Sequence, residues 1–479
     1  MKILFASAES APFFKTGGLG DVSYALPKTL AKEPEVDIRV VLPNYSQMPP
    51  RYKEELVELK HFRFQLGHKN VYCGIKQLEL DGIIFYFIDN LTYFDRAGLY
   101  GEWDDGERFA YFSTAIIEML EVIDWIPDLI HCNDWQTAMV PVLLVDRYHW
   151  KNRLQNIRKV LTIHNIRFQG NYDAWMLPNV FGTGYNTFTD DGLKMGDRIN
   201  FLKGGINFSD RVTTVSPSYA QEIMTPEFGE GLEGVLQYNA WKVKGIVNGI
   251  DYQLNDPATD PKLSVHFSIE DLSGKKENKV ILQEKLGLKK DPSIPIIGMI
   301  SRLTDQKGFQ LIEEVLDELL QARVQVIILG TGDANFEHSF RYFENRYHDS
   351  MRACIQFDIN LAQLIYAGSD MFLMPSAFEP CGLSQMIAMR YGTLPIVHET
   401  GGLKDTVQAY NQFTGEGTGF SFSGFNSRTM LNTIYFALEV FYDHPAQWEK
   451  LMKQAMKENF SWENPAKQYL NLYQELLSE

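Results

Sequence analysis

Short apolar runs that end in a polar or glycine-containing turn recur along the chain: RVVLPNY (39–45), IFYFIDN (84–90), DLIHCND (128–134), KVLTIHN (159–165) and RVTTVSP (211–217). Their length and β-branched content predict strands buried on both faces of a parallel sheet, with helices between them such as Phe109 to Asp124. After GIVNGID (245–251) the texture turns polar, with DPATDPK and DLSGKKENK, which predicts a domain boundary and the loop that follows it. The alternation then resumes in IPIIGMISR (294–302), VQVIILGTGD (324–333), MFLMPSAFEP (371–380) and TLPIVHE (393–399). This is the pattern of an α/β fold, and 479 residues are too many for a single core. At the far end Trp462, Ala466, Tyr469, Tyr473 and Leu476 recur at three- and four-residue spacing after Asn464 and Pro465, predicting an amphipathic helix that needs cover along one face.

Ligands of open parallel sheets sit beyond the carboxyl ends of the strands, and the unusual residues of this chain cluster there. The pattern Thr-Gly-Gly-Leu-x-Asp occurs twice, at Thr16 to Asp21 and at Thr400 to Asp405, each time after a strand-like run and before a stretch able to form a helix. Paired glycines allow a tight turn whose N–H groups and helix dipole face an anion, so two such turns suggest two nucleotide-fold domains and a phosphorylated ligand. In SRLTDQKG, Arg302 and Lys307 share one loop, where a diphosphate is a natural counter-ion and a solvated surface pair the plainer alternative. Glu379, in PSAFEPCGLSQ, ends a strand before a glycine turn. There a carboxylate can orient sugar hydroxyls, balance positive charge at a carbon centre, or simply start a helix. His131 with Asp134, and His164 with Asn165, are polar groups ending apolar strands.

Composition narrows the ligand. With 61 acidic and 45 basic side chains the net charge is −16, which disfavours nucleic acid and anionic membrane as partners. Cys73, Cys132, Cys354 and Cys381 are scattered without CxxC spacing, predicting neither zinc site nor disulfide framework and fitting a reducing cytoplasm. The opening MKILFASAES is too poor in apolar residues for a signal peptide, and no apolar run is long enough to span a membrane. The acidic pairs Asp104-Asp105 and Asp190-Asp191 lack a convincing ligand set, so neither a metal nor any other cofactor is expected.

The motifs KTGGLGDV (15–22), LTIHN, TVSPSYA (214–220), VNGID (247–251), SRLTDQKG, LGTGD, EPCGLSQ (379–385), RYGTLP and TGGLKDTV stand in order over nearly the whole chain. In this the chain resembles the bacterial glycogen synthases and the related plant starch synthases, retaining glycosyltransferases of the GT-B type. The resemblance implies two facing Rossmann-like domains with parallel sheets and an interdomain cleft: residues 1–248, residues 249–458, and a C-terminal helix, 459–479, crossing back to the first domain. It implies transfer of glucose from ADP-glucose to an α-1,4-glucan in the cytoplasm. By motif matching, Lys15, Arg302 and Lys307 would contact the donor diphosphate, and Glu379 would be the principal active-site carboxylate. His164 and Asn248 would line the glucose site, Phe357 would be the platform for adenine, and His164, Arg302 and Lys307 count with Glu379 as the catalytic residues. Gly17, Gly18, Cys381, Gly382, Gly401 and Gly402 join the donor-binding candidates. Asp21, Asp105, His131, Asp134 and Asn165 are the acceptor or sugar-site candidates. Three positions depart from the family's pattern: Ile387 stands where related transferases often carry a second glutamate, Asn133 where some bacterial members have His, and Gln136 where many have His. A pyridoxal-phosphate-dependent glucan phosphorylase is the nearest enzymatic alternative. A glucan-binding protein with a decayed site is the non-enzymatic one, and a dehydrogenase is disfavoured because GGxG, not GxGxxG, follows the first strand.

Overall fold

In the computed structural model, which describes Met1–Glu479, the chain forms two compact units: Met1–Gly249 together with Trp462–Glu479, and Ile250–Ser461. The first unit is built on a nine-stranded sheet. From one edge to the other its strands are Val243–Gly245, Arg211–Thr214, Arg158–Ile163, Leu129–Asn133, Lys2–Ala6, Asp37–Pro43, Ile83–Asp89, Lys69–Leu80 and Val57–Leu66. The first seven run parallel, as the apolar runs predict, with Ile3 opposite both Ile38 and Leu129. Ile3, Leu4, Phe5, Val40, Ile130 and Leu161 have no exposed surface, each such burial being worth about 1.5–3 kcal/mol.

The two strands at the far edge are antiparallel and join through a turn at Gly67, whose φ is +57°. The apolar-run pattern misses Val57–Leu66 because most of that strand is exposed and its sequence, VELKHFRFQL, is largely polar. The helix Asp105–Val122 begins four residues before the predicted Phe109 and buries most of its length. Its Arg108 is fully buried, Nε donating to Tyr93 O and Nη1 to Leu99 O and Asp105 Oδ1, while Nη2 has no partner.

The second unit holds six parallel strands in the order Met351–Cys354, Gln325–Leu329, Ile296–Ile300, Met371–Met374, Leu394–His398 and Phe420–Phe422. Leu282, Ile296, Ile327, Leu361 and Ile365 form one apolar cluster of this unit. Phe267, Tyr366, Phe372, Tyr391 and Met456 form another. Ile387 is partly buried and packs against the second cluster, so its apolar side chain serves the core.

Both sheets reverse their strand order beside their first strand. In the first unit the chain moves from Lys2–Ala6 outward to one side and returns to Leu129–Asn133 on the other. In the second it moves from Ile296–Ile300 outward and returns to Met371–Met374. At such a reversal the two connections diverge and leave a crevice at the strand ends.

The last helix, Glu463–Ser478, belongs to the first unit and packs on the helix Gly18–Leu30. Pro465 sits in its first turn, and Ala466, Tyr469, Tyr473 and Leu476 are all buried along one face. Where the chain enters and leaves the second unit, the two passes are bonded together. The Ile250 N–H donates to Phe460 O at 2.8 Å, and the Phe460 N–H to the Tyr252 hydroxyl at 2.8 Å.

Candidate active site

In the first unit, KTGGLGD leads from the strand Lys2–Ala6 into the helix Gly18–Leu30. The anion facing this turn belongs to the chain itself. Glu9, almost completely buried, accepts the N–H groups of Gly17 and Gly20 on Oε1, at 3.2 and 3.0 Å. Its Oε2 accepts the Thr16 N–H, the Thr16 hydroxyl and the Tyr100 hydroxyl, at 3.1, 2.7 and 3.0 Å. The turn is therefore already neutralised from within, contrary to the expectation of a set of free N–H donors. Gly20 is also required sterically, since a Cβ there would lie 2.4 Å from Lys15 Cβ; at Gly17 a Cβ would meet nothing. Lys15 projects outward, half exposed, with Nζ 2.7 Å from Asp21 Oδ1.

At the order reversal of this sheet, Asn133 donates through Nδ2 to Ala6 O at 3.0 Å, tying the two strand ends together. His164, at the end of the next strand, has its N–H on Asp134 Oδ1 at 2.7 Å and its Nε2 2.8 Å from Asn133 Oδ1. Burial holds the His164 imidazole down to about 3 and pushes the Asp134 carboxyl up to about 7, against the backbone N–H groups of His164 and Asn165 that favour its charged form. Asn165 forms a local turn, accepting the Arg167 N–H on Oδ1 at 3.0 Å. Asn248 is buried with Oδ1 lacking any partner, an unsatisfied acceptor of the kind a ligand hydroxyl would complete.

Three acceptor candidates have other work. His131 is 1% exposed, its Nδ1 2.6 Å from the Tyr473 hydroxyl and its Nε2 2.5 Å from Thr162 Oγ1. Both ring nitrogens are engaged, so this histidine anchors the last helix and is not open to a sugar. Asp105 gives Oδ1 to Arg108 at 2.6 Å and Oδ2 to the Gly101 N–H at 2.8 Å, bracing its own loop. Asp134 likewise holds the turn at His164.

In the second unit the order reversal is bridged by an ion pair. Lys307, on the loop after Ile296–Ile300, places Nζ 2.7 Å from Oε2 of Glu379, on the loop after Met371–Met374. The Ser376 hydroxyl donates to the same oxygen at 2.9 Å, and Glu379 is 6% exposed. Gly308, in the left-handed region at φ +79°, lets this loop close on Pro375: a Cβ there would sit 2.0 Å from Pro375 O. Arg302 is exposed beside this pair in sequence, and no carboxylate pairs with it. Phe357, 84% exposed, follows the strand Met351–Cys354 and precedes a helix capped by Asp358. The second glycine turn is pressed against the Glu379 loop. A Cβ on Gly401 would lie 1.9 Å from Glu379 O and one on Gly402 2.1 Å from Cys381 O, while the Gly402 N–H donates to Glu379 O at 3.0 Å. These glycines position the loop, and the helix they start, Gly401–Thr406, is only six residues long. Gly382 is left-handed at φ +72°, and the buried Cys381 gives its carbonyl to Gln385 Nε2 at 2.9 Å.

The residues described in each unit lie in regions with known counterparts. Residues 2–238 match the starch synthase catalytic domain and residues 281–450 the glycosyl transferases group 1 family. A glycogen synthase of Ligilactobacillus salivarius is 54% identical over 477 residues, covering 100% of both chains. The chain belongs to the glycogen and starch synthase family. A glycogen synthase of Streptococcus agalactiae is 53% identical over 99% of this chain and 100% of its own. Among solved structures, the catalytic domain of starch synthase IV from Arabidopsis thaliana, bound to ADP and acarbose, superposes with a TM-score of 0.92 at 37% identity, covering 100% of this chain and 99% of that one. The fold is accordingly the GT-B fold, and the chain is a glycosyltransferase of the glycogen synthase type, as the ordered motifs imply.

Proposed function

We propose that this enzyme transfers glucose from ADP-glucose to the nonreducing 4-hydroxyl of an α-1,4-glucan with retention at the anomeric carbon. The observation that carries the reading is the buried Glu379 paired with Lys307 at the order reversal of the second sheet, in a chain that follows an ADP-bound starch synthase over its whole length. Lys307, Arg302 and Lys15 are cations suited to the charge that builds on departing ADP, where electrostatic stabilisation is worth most. Arg302 has no carboxylate partner of its own, and Lys15 has only an exposed partner in Asp21. Glu379, with one oxygen held by Lys307 and Ser376, keeps negative charge beside an oxocarbenium-like sugar. The C–O bond to the diphosphate breaks as the acceptor hydroxyl attacks on the same face, and its proton passes to the leaving phosphate. No second carboxylate is needed as nucleophile.

Phe357 offers an exposed aromatic face for adenine, and the unpartnered Asn248 Oδ1 an acceptor for a glucose hydroxyl. No helix is long and apolar enough to cross a membrane, and the four cysteines are free thiols, three of them buried, which suits a reducing cytoplasm. The deciding experiment is incubation of the purified chain with glycogen and labelled ADP-glucose or UDP-glucose. Primer-dependent incorporation from ADP-glucose is expected. No incorporation from either donor overturns the reading, and an aldimine absorbance band in the purified protein would favour the phosphorylase instead.

A further inference from the structure

Asn133 ends the strand Leu129–Asn133 and has no exposed surface. Its Nδ2 donates to Ala6 O at 3.0 Å and lies 3.4 Å from His131 O. Both neighbours are carbonyl oxygens, so the reversed amide would set oxygen against oxygen, and the orientation is fixed. Oδ1 then faces the other way, 2.8 Å from His164 Nε2. An amide oxygen only accepts, so the proton of this bond resides on Nε2. Burial keeps the ring neutral down to about 3, and a neutral imidazole protonated at Nε2 carries a bare lone pair on Nδ1. Asp134 meanwhile holds the His164 backbone from the same neighbouring strand end, through the bond from the His164 N–H. Ring and backbone are thus both set by residues 133 and 134.

Resting on the place in the glucose site that the family resemblance implies for His164, the geometry points to Asn133 as a positioning residue that locks His164 in the Nε2–H tautomer, so that Nδ1 accepts a hydrogen bond from a hydroxyl of the donor sugar. No bond is made or broken by this contact. In the locked tautomer Nδ1 has no proton to give, so His164 orients the sugar and does not protonate the departing diphosphate. The identity of residue 133 matters to the lock. A histidine at 133 could face His164 with either a proton or a lone pair, whereas the asparagine, held by Ala6, offers only its oxygen.

The wild-type chain labelled with ring-15N histidine tests this directly by long-range 1H–15N NMR at neutral pH, the His164 signals being identified by their loss in His164→Gln. The expected spectrum is a neutral ring with Nε2 protonated and Nδ1 bare. An Nδ1–H tautomer or an imidazolium overturns the lock. Asn133→Leu removes the acceptor at similar volume, and the His164 signals should move to a mixture of tautomers. Donor KM should rise about tenfold, the scale of one lost hydrogen bond, with a smaller change in kcat. If the tautomer shifts and donor KM does not, Nδ1 is not a sugar contact. Because the spectrum requires no turnover, an Nε2–H ring in a chain that incorporates no glucose rejects the proposed activity and the sugar contact while the lock itself stands.

Discussion

Lys307 Nζ and Glu379 Oε2, seventy-two residues apart in sequence, meet at 2.7 Å where the second sheet reverses its strand order. Each therefore restrains the other, and in the proposed reaction the lysine faces a diphosphate while the carboxylate faces a sugar. Replacing either, as Lys307→Ala or Glu379→Gln, should lower kcat on the order of 100-fold with the fold intact by circular dichroism. The double variant should lose much less than the product of the two single losses, since a coupled pair is not additive. Strict multiplicativity in the steady-state rates would show that the two act independently.

Glu9 accepts only from donors: three backbone N–H groups and two hydroxyls. A glutamine there must turn its NH₂ toward some of those donors whichever way it lies, so this nearly isosteric change is disruptive. Glu9→Gln is expected to loosen the turn that carries Lys15 and to reduce kcat/KM for the donor by about tenfold or more, at about 1–3 kcal/mol per unsatisfied buried group. Tyr100→Phe, which removes a single donor, should have a smaller effect. Equal kinetics for Glu9→Gln and the wild type would reduce Glu9 to packing.

An exposed aromatic that holds a base does so equally in ground and transition states, so Phe357→Ala should raise donor KM and leave kcat nearly unchanged. Stacking of about 1–3 kcal/mol sets the scale of the rise. Unchanged donor KM would place the base elsewhere.

The parallel strands were legible because burial on both faces writes them as unbroken apolar runs, and the loops that follow those runs carry polar residues to the order reversals. Lys307 and Glu379 could be found in that way. Glu9 could not, although it too follows a strand, because its partners are chiefly backbone N–H groups that leave no trace in residue types. The usable signal was a lone acid eight residues before the first of the paired glycines. His131 misled for the opposite reason. A strand-end histidine looks the same whether its ring faces a ligand or the interior, and the hydroxyl that closes it off lies 342 residues away, in Tyr473. The exposed antiparallel strand Val57–Leu66 escaped because its polar sequence carries no apolar run.

Acid should destabilise the fold well before ordinary carboxylates titrate. His131 and His164, both held to about 3 by burial against an ordinary 6.5, take up protons in the unfolded chain across that window but not in the folded one, so stability is lost as pH falls from 6.5. Asp134, raised from 3.8 to about 7, acts with the opposite sign, keeping a proton in the folded state that the unfolded chain has released. Two rings outweigh one carboxylate, for a net loss on the order of 2–4 kcal/mol between pH 7 and pH 4. Urea midpoints across this range should fall with pH, and His164→Gln should flatten the slope. A steeper slope in that variant would contradict the assignment.

The return of Trp462–Glu479 to the first unit has a consequence for synthesis. Residues 250–461 are one uninterrupted stretch and can complete their fold as soon as they leave the ribosome, whereas the first unit, begun earlier, lacks the helix it takes from residues 462–479 until that later segment emerges. Through most of translation the face that Tyr469, Tyr473 and Leu476 will cover, with the His131 ring in it, stays open. The part of the protein made first is thus the part completed last, and a chain cut short near its end leaves the earlier half of the molecule uncovered, not the later one.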